Sequence, residues 1–171
     1  DSFFLSENKV LNIFICGVGT VGAQLIEQIH QQQSTLLREQ HLLLNVVGIA
    51  NSRGYIFNAE GLDLTTYREQ LANSLSPIAN NLSPIANSLS TLYNSIFVDC
   101  TASADVADSY LSLLENNVSV VTANKIAASS AYSHYQQLKQ TALNRGVKFL
   151  FETNVGAGLP IISTINDLRN S

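Results

Sequence analysis

The chain has 171 residues, a hydrophobic content of 46% and a formal net charge of −4, with nine lysines and arginines in all. This is enough for one well-cored domain and too short for a cofactor domain plus a complete substrate domain. The acidic balance argues against a nucleic-acid or anionic-membrane partner, and no apolar run approaches the roughly 20 residues of a membrane span. Cys16 and Cys100 each end an apolar run and are predicted to be buried thiols, which fits a cytoplasmic location.

Residues 1–9 are expected to be a polar lead-in, and residues 10–22 (VLNIFICGVGTVG) join an apolar run to glycines spaced G-x-G-x-x-G. This pattern predicts a strand, a tight turn and a helix start that binds the pyrophosphate of a dinucleotide. Glycines also mark ordinary turns, but helical spacing of apolar residues after the motif favours the dinucleotide interpretation. The predicted phosphate-binding residues are Gly17, Val18, Gly19, Thr20, Val21 and Gly22.

A helix is predicted over residues 20–33 and a second buried strand over residues 42–50, which is followed by Asn51, Ser52 and Arg53. In a βαβ unit the end of this strand meets the adenosine ribose. An NAD site usually has an acidic residue there, whereas Arg53 suits the 2′-phosphate of NADP. The alternative is a solvated loop arginine, so NADP is favoured and NAD is not excluded.

Residues 54–92 lack strong periodicity apart from a short helical pattern at residues 64–72. They contain a tandem repeat, SLSPIAN at residues 74–80 and NLSPIAN at residues 81–87. Prolines seven residues apart argue against one continuous helix, so we expect a surface excursion outside the cofactor site.

The remaining sequence alternates short apolar runs with longer helical patterns. Strands are predicted over residues 95–100, 118–122 and 147–151, and helices over residues 104–116, capped by Ser103, and 127–145, ended by Gly146. The alternation predicts an α/β fold with a doubly wound parallel sheet of the Rossmann type, occupying residues 10–171.

Polar strand ends should carry the function of such a sheet, since ligands bind at the carboxyl ends of its strands. The strand ends here are CTAS (100–103), TANK (122–125) and ETNVGAGLP (152–160). Lys125 follows a buried strand at the presumed cofactor edge, and a functional lysine is favoured there over an ordinary exposed one. Tyr135 and Lys139 match the Y-x-x-x-K spacing of short-chain dehydrogenases, but they lie mid-helix and are interpreted as surface residues.

Taken together, the motifs GVGTVG, VVGIANSR, VDCTAS, VVTANK and ETNVGAGLP resemble those of homoserine dehydrogenase, particularly the form fused behind an aspartokinase. The resemblance covers about residues 10–167. It implies NADP-dependent interconversion of homoserine and aspartate 4-semialdehyde in amino-acid biosynthesis, carried out by a homo-oligomer in the full protein.

The resemblance also implies roles for individual residues. Thr101, Ser103, Asn124 and Lys125 would lie near the nicotinamide half of the cofactor, with Lys125 as the catalytic lysine. Cys100 would also contact the cofactor. A monovalent cation such as sodium would bind backbone carbonyls of Glu152, Val155, Ala157 and Leu159, since hard cations prefer oxygen ligands.

Two departures from the family pattern matter. Ala123 replaces the usual proline of T-P-N-K, which is expected to loosen the turn before Lys125. The family's substrate-binding domain is not in this sequence, so the fragment is expected to be inactive or nearly so. The alternatives are a non-catalytic domain that senses NAD(P), which would not need Lys125, and an α/β domain without a ligand.

Overall fold

A computed structural model describes residues 8–74, 76–77, 82–128 and 132–152. The strands are β1 (Lys9–Cys16), β2 (Leu42–Ala50), β3 (Tyr55–Phe57), β4 (Ser95–Asp99), β5 (Ser119–Thr122) and β6 (Phe149–Phe151). The helices are α1 (Thr20–Gln40), α2 (Tyr67–Ala72), α3 (Ser83–Ser90), α4 (Ala104–Ala107), α5 (Tyr110–Glu115), α6 (Lys125–Ala128) and α7 (Tyr132–Arg145).

The six strands form one sheet in the order β3-β2-β1-β4-β5-β6. All neighbouring pairs are parallel except β2 and β3, which form an antiparallel pair at the edge. Helices cover both faces, so the predicted doubly wound α/β fold is confirmed. The order changes direction between β1 and β4, where a doubly wound sheet opens a crevice for a ligand.

Two apolar cores, one on each face, hold the sheet. The first joins α1 and α2 to the sheet through residues such as Leu25, Ile29 and Leu71. The second joins α3, α5 and α7 to the opposite face, with Phe14 and Phe97 stacked at its centre at 5.5 Å between ring centroids. The apolar residues of α1 recur at helical spacing and are buried on one side of the helix. Their removal from water supplies most of the driving force for packing the helix on the sheet.

The structure corrects several predicted boundaries. Helix α1 continues to Gln40, where His41 adopts the left-handed conformation that ends it. The predicted helix at residues 104–116 is two short helices, α4 and α5. The short edge strand β3 was not predicted, and its three residues are too few for a periodic signal.

The interpretation of the whole SPIAN repeat as a surface excursion is wrong for the second copy. Residues 83–90 form α3, in which Ile85, Ala86 and Leu89 are buried in the second core. Pro84 lies in the first turn of this helix, where the missing N–H costs nothing. In the first copy, Ser76 and Pro77 are exposed and residues 75 and 78–80 lie outside the described part of the chain.

Candidate functional site

The carboxyl ends of the central strands are joined by hydrogen bonds that extend the sheet beyond its strands. The first residue after each of four strands donates its N–H to the last carbonyl of a neighbouring strand. These bonds are Gly17 to Ala50 (2.8 Å), Cys100 to Cys16 (2.8 Å), Ala123 to Asp99 (2.9 Å) and Glu152 to Thr122 (2.9 Å). The loops that follow the strands therefore leave the sheet from fixed positions.

The three glycines of the G-x-G-x-x-G motif have distinct roles. Gly17 has φ +103°, and a Cβ there would lie 2.9 Å from the Cys100 carbonyl. A Cβ on Gly22 would lie 1.8 Å from the Gly17 oxygen, so only glycine lets α1 approach the strand end this closely. A Cβ on Gly19 would meet no protein atom within 4 Å. The lack of a side chain at Gly19 keeps open the cavity that this residue lines.

That cavity has a volume of about 590 Å³ and lies at the β1–β4 crevice. Eight of its lining residues were predicted from the sequence: Gly17, Val18, Gly19, Asn51, Ser52, Cys100, Thr101 and Ser103. Five were not predicted: Cys16, Leu82, Ala102, Asp105 and Val106. Leu82 immediately precedes α3, so the second SPIAN copy, expected to lie outside the site, contributes to its wall.

The amino end of α1 faces this cavity and suits an anion. Gly19 caps the helix without a side-chain hydrogen bond, and the first turn contains no acidic residue. The N–H groups of Thr20, Val21 and Gly22 have no acceptor within the helix, because the first intrahelical bond runs from Ala23 to Gly19. A helix of 21 residues also has a partial positive charge at this end. The geometry therefore fits a pyrophosphate.

A smaller cavity of about 390 Å³ lies beside the first and contains two exposed arginines, Arg53 and Arg68. Asn51 fixes the Arg53 backbone, since its Oδ1 accepts the N–H groups of Arg53 and Gly54, each at 2.9 Å. Arg68 comes from α2 and packs against the ring of Tyr67. No local pattern marks Arg68 as a binding residue, because only folding brings α2 to the end of β2.

Asp99 is fully buried at the end of β4 and accepts four hydrogen bonds. Oδ1 accepts the N–H (2.8 Å) and the hydroxyl (2.7 Å) of Thr101. Oδ2 accepts the Tyr110 hydroxyl in a short bond and the Asn124 side-chain amide at 3.0 Å. The sequence interpretation did not single out Asp99, because a lone acidic residue within an apolar run carries no recognisable motif.

The negative charge of Asp99 affects its neighbours. Burial, and then this carboxylate, raise the pKa of the Cys100 thiol to about 12. The same two causes raise the pKa of Cys16 and of the Tyr110 phenol still further. Both cysteines are free thiols, and Cys16 is buried as predicted, whereas Cys100 is half-buried because it lines the cavity. The raised pKa values keep both thiols protonated at neutral pH.

Asn124 is 1% exposed and does not line the cavity. Its side-chain amide donates to Asp99 and, at 2.9 Å, to the Ser103 carbonyl, while its Oδ1 accepts the Ile126 N–H at 2.9 Å. These bonds fix the TANK turn, after which Lys125 begins α6 with an exposed side chain. Ala123 donates the N–H that bonds Asp99 O, which a proline could not do. This bond offsets the expected loosening of the turn.

The predicted cation site lies mostly outside the described residues. Glu152 follows β6 beside the end of β5, but Val155, Ala157 and Leu159 are not described. Within the described residues, no cluster of three or more His, Cys, Asp and Glu side chains could hold a metal ion. Tyr135 is half-buried against Phe149 and Phe151, and Lys139 donates to the Phe149 carbonyl at 2.6 Å. Lys139 is exposed, as predicted, whereas Tyr135 is partly covered by the two phenylalanine rings.

Comparison with known proteins agrees with this geometry. Residues 17–152 match the family model described as the NAD-binding domain of homoserine dehydrogenase. The chain belongs to this family.

Relatives of this NAD-binding domain include bifunctional aspartokinase/homoserine dehydrogenases. The one from Haemophilus influenzae is 37% identical over 95% of the chain, and a chloroplastic one from Zea mays is 36% identical over 97%. The chain spans 20% and 18% of their lengths. A hyperthermophilic archaeal homoserine dehydrogenase, solved in complex with NADPH, is 30% identical over 91% of this chain and 47% of its own, with a TM-score of 0.67.

The homoserine dehydrogenase NAD-binding domain thus accounts for the glycine motif and the crevice at the β1–β4 switch point. Among the described helices of this domain, none has the length and apolar character needed to cross a bilayer.

Proposed function

We propose that this domain binds NADP(H), with the pyrophosphate at the amino end of α1 and the adenosine 2′-phosphate between Arg53 and Arg68. The observation that carries the proposal is the open cavity at Gly19, placed before a helix start whose N–H groups lack acceptors. Leu82 and Val106 add apolar lining suited to a flat ring. The archaeal relative solved with NADPH supports the choice of cofactor.

The preference for NADP over NAD rests on charge. Among the residues that the structure describes, no acidic one lines the small cavity that holds Arg53 and Arg68, so none of them would take a ribose 2′-hydroxyl as a carboxylate does. Two guanidinium groups suit a phosphate dianion, since each can donate two parallel hydrogen bonds.

In the longer protein we propose the interconversion of homoserine and aspartate 4-semialdehyde, the substrates implied by the family. The cofactor supplies the hydride when it is bound. Backbone N–H groups at the start of α1 hold the phosphates of the cofactor, and the turn at Thr101 lines the crevice. The exposed Lys125 ammonium, just past β5, is available to donate a proton or a hydrogen bond to the substrate oxygen.

Further features of the longer protein are also proposals. They comprise a monovalent cation held by carbonyls of residues 152–159, assembly into a homo-oligomer and a cytoplasmic location. The free thiols of Cys16 and Cys100 support a reducing compartment. The rival function is a non-catalytic NAD(P) sensor, which the fixed position of Lys125 disfavours, since a sensor needs no lysine beside the reacting ring.

Calorimetric titration of this chain with NADPH, with NADH and with buffer tests the cofactor assignment. We expect saturable one-site binding of NADPH and binding of NADH at least about tenfold weaker, because NADH lacks the 2′-phosphate that the two arginines would contact. Equal affinities would overturn the NADP preference, and no heat with either dinucleotide would overturn the proposed function. Gly19→Val tests the cavity, because a Cβ at this position meets no protein atom within 4 Å and the added side chain narrows the proposed phosphate site. It should abolish binding while leaving the fold intact.

A further inference from the structure

Asp99 lies between two turns, and both would lie near the nicotinamide half of the cofactor in the proposed binding mode. One is the turn of Thr101 to Ser103 after β4, which lines the cavity, and the other is the turn after β5 that leads to Lys125. Oδ1 binds the first turn twice through Thr101, and Oδ2 binds the second through Asn124. Within the described residues no cation pairs with this carboxylate, so its charge is stabilised by hydrogen bonds alone.

We infer that Asp99 is a positioning residue, whose buried carboxylate ties these two turns together and so sets where Thr101 and Lys125 stand at the nicotinamide end of the site. The inference rests on the proposed function, since it assumes that the dinucleotide occupies this crevice. Asp99 itself does not line the cavity and acts only through the two turns.

The geometry requires a carboxylate at this position. Of the four donors to Asp99, the hydroxyls of Thr101 and Tyr110 can rotate, but the backbone N–H of Thr101 cannot. The Asn124 amide cannot reverse either, because a reversed amide would set its oxygen against the Ser103 carbonyl and its NH₂ against the Ile126 N–H. An asparagine at position 99 would therefore present its own NH₂ to a fixed N–H donor, whichever way its amide is turned.

The Thr101 hydroxyl is already engaged in this network. Its single proton goes to Asp99, and its oxygen accepts the Ser103 N–H at 3.1 Å. The hydroxyl thus holds the turn in shape, and the turn presents its remaining surface to the cavity. Removing the carboxylate would take away the acceptor that both turns share and leave them joined through the Asn124 amide, which donates to the Ser103 carbonyl.

The test compares two ligands on the same chain: NADPH, which spans the crevice, and adenosine 2′,5′-bisphosphate, which has only the adenosine half. Asp99→Asn should weaken NADPH at least tenfold in calorimetry and change the affinity for adenosine 2′,5′-bisphosphate less than twofold. A merely structural role would weaken both ligands together. Equal losses for the two, or no loss for either, would overturn the inference.

Two controls separate positioning from general destabilisation. Ser95 is 3% exposed at the opposite end of β4, about 13 Å away, and its hydroxyl donates to the Leu89 carbonyl at 2.7 Å. Ser95→Ala should lower the melting temperature without changing the ratio of the two affinities. Leu113→Ala truncates a fully buried apolar side chain of α5 that takes no part in the hydrogen bonds of either turn, and it should also preserve the ratio. A selective loss of NADPH affinity in either control would overturn the inference.

If Asp99→Asn does not fold, Asn124→Ala tests the joining of the two turns, because it keeps the carboxylate and removes both the bond from Asn124 to Asp99 and the bond from Asn124 to the Ser103 carbonyl. It should weaken NADPH about fivefold or more and spare adenosine 2′,5′-bisphosphate; unchanged NADPH affinity would overturn the inference. If the wild-type chain binds neither ligand, the proposed function fails and the inference fails with it. If the wild type binds both and the variants show no selectivity, only the inference fails.

Discussion

Arg53 and Arg68 come from different elements and line one small cavity beside the end of β2. Replacing either with alanine should weaken NADPH by about tenfold or more and NADH by less than twofold, because only the 2′-phosphate contact is lost. Calorimetry with both dinucleotides measures the difference. Arg38→Ala is the matched control, since Arg38 is an exposed arginine near the end of α1, away from both cavities, and should change neither affinity. Equal losses of the two dinucleotides in the cavity variants would refute the assignment.

The raised pKa values of the two thiols predict a loss of stability in alkali. The native pKa of Cys100 is raised from 9.0 to about 12, so between these values the unfolded chain releases a proton that the native chain keeps. The free energy of unfolding should therefore be unaffected by this group below about pH 9. It should fall by about 1.4 kcal/mol per pH unit above that pH.

Cys16 and Tyr110 add to the decline in the same direction, because burial raises the pKa of each. Urea unfolding at pH 8, 9, 10 and 11 measures the slope, and Cys100→Ala should make it shallower. A slope unchanged by this substitution would show that the Cys100 thiol ionises as readily in the native chain as in the unfolded chain.

At the scale of elements, α3 is a core helix whose loss the fold should not tolerate. Ile85 is 1% exposed, and Ile85→Ala should lower the free energy of unfolding by about 2–5 kcal/mol through lost burial and the cavity left behind. Asn87→Ala, on the exposed side of the same helix, should change it by less than about 0.5 kcal/mol. Chemical denaturation of both variants is the measurement, and similar small effects would restore the interpretation of the repeat as a surface excursion.

Long, strongly periodic elements were predictable from the sequence, and contacts distant along the chain were not. The end of β2 and the glycine turn were placed correctly, because apolar runs bounded by glycine or polar residues are local signals. The spacing of the prolines does not predict α3, because Pro84 counts against a continuous helix. In the structure this proline lies in the first turn, where it is compatible with a helix. Arg68 and Asp99 could not be recognised, since each acquires its position only when separate elements pack together.

At the scale of the whole molecule, the chain spans about a fifth of the length of its bifunctional relatives. Cofactor binding should therefore be measurable on this chain without the catalytic reaction. We expect this chain to bind NADPH yet to reduce aspartate 4-semialdehyde at no useful rate. Hydride transfer needs the aldehyde held in place and its oxygen protonated, which together contribute many powers of ten. Assaying NADPH oxidation tests this, and turnover by the 171-residue chain at the rate of a complete enzyme would contradict it.

The corresponding test of Lys125 needs the longer protein, in which Lys125→Ala should lower kcat by about a hundredfold or more and leave NADPH binding largely intact. Lys148→Ala is the control, because this exposed lysine lies at the amino end of β6, whereas Lys125 follows the carboxyl end of β5. An unaffected rate in the Lys125 variant would leave the TANK turn with a role in cofactor binding only.

The hydrogen bonds that continue the sheet past its strands have a consequence for the dynamics of the site. Loop amides ordinarily exchange with solvent deuterium within moments, but those of Cys100 and Ala123 are held by carbonyls of the central strands. They should exchange as slowly as the amides of β1, whether or not a nucleotide is present. A crevice whose walls are this rigid before the ligand arrives loses little entropy on closing around it, so more of the contact energy remains as affinity.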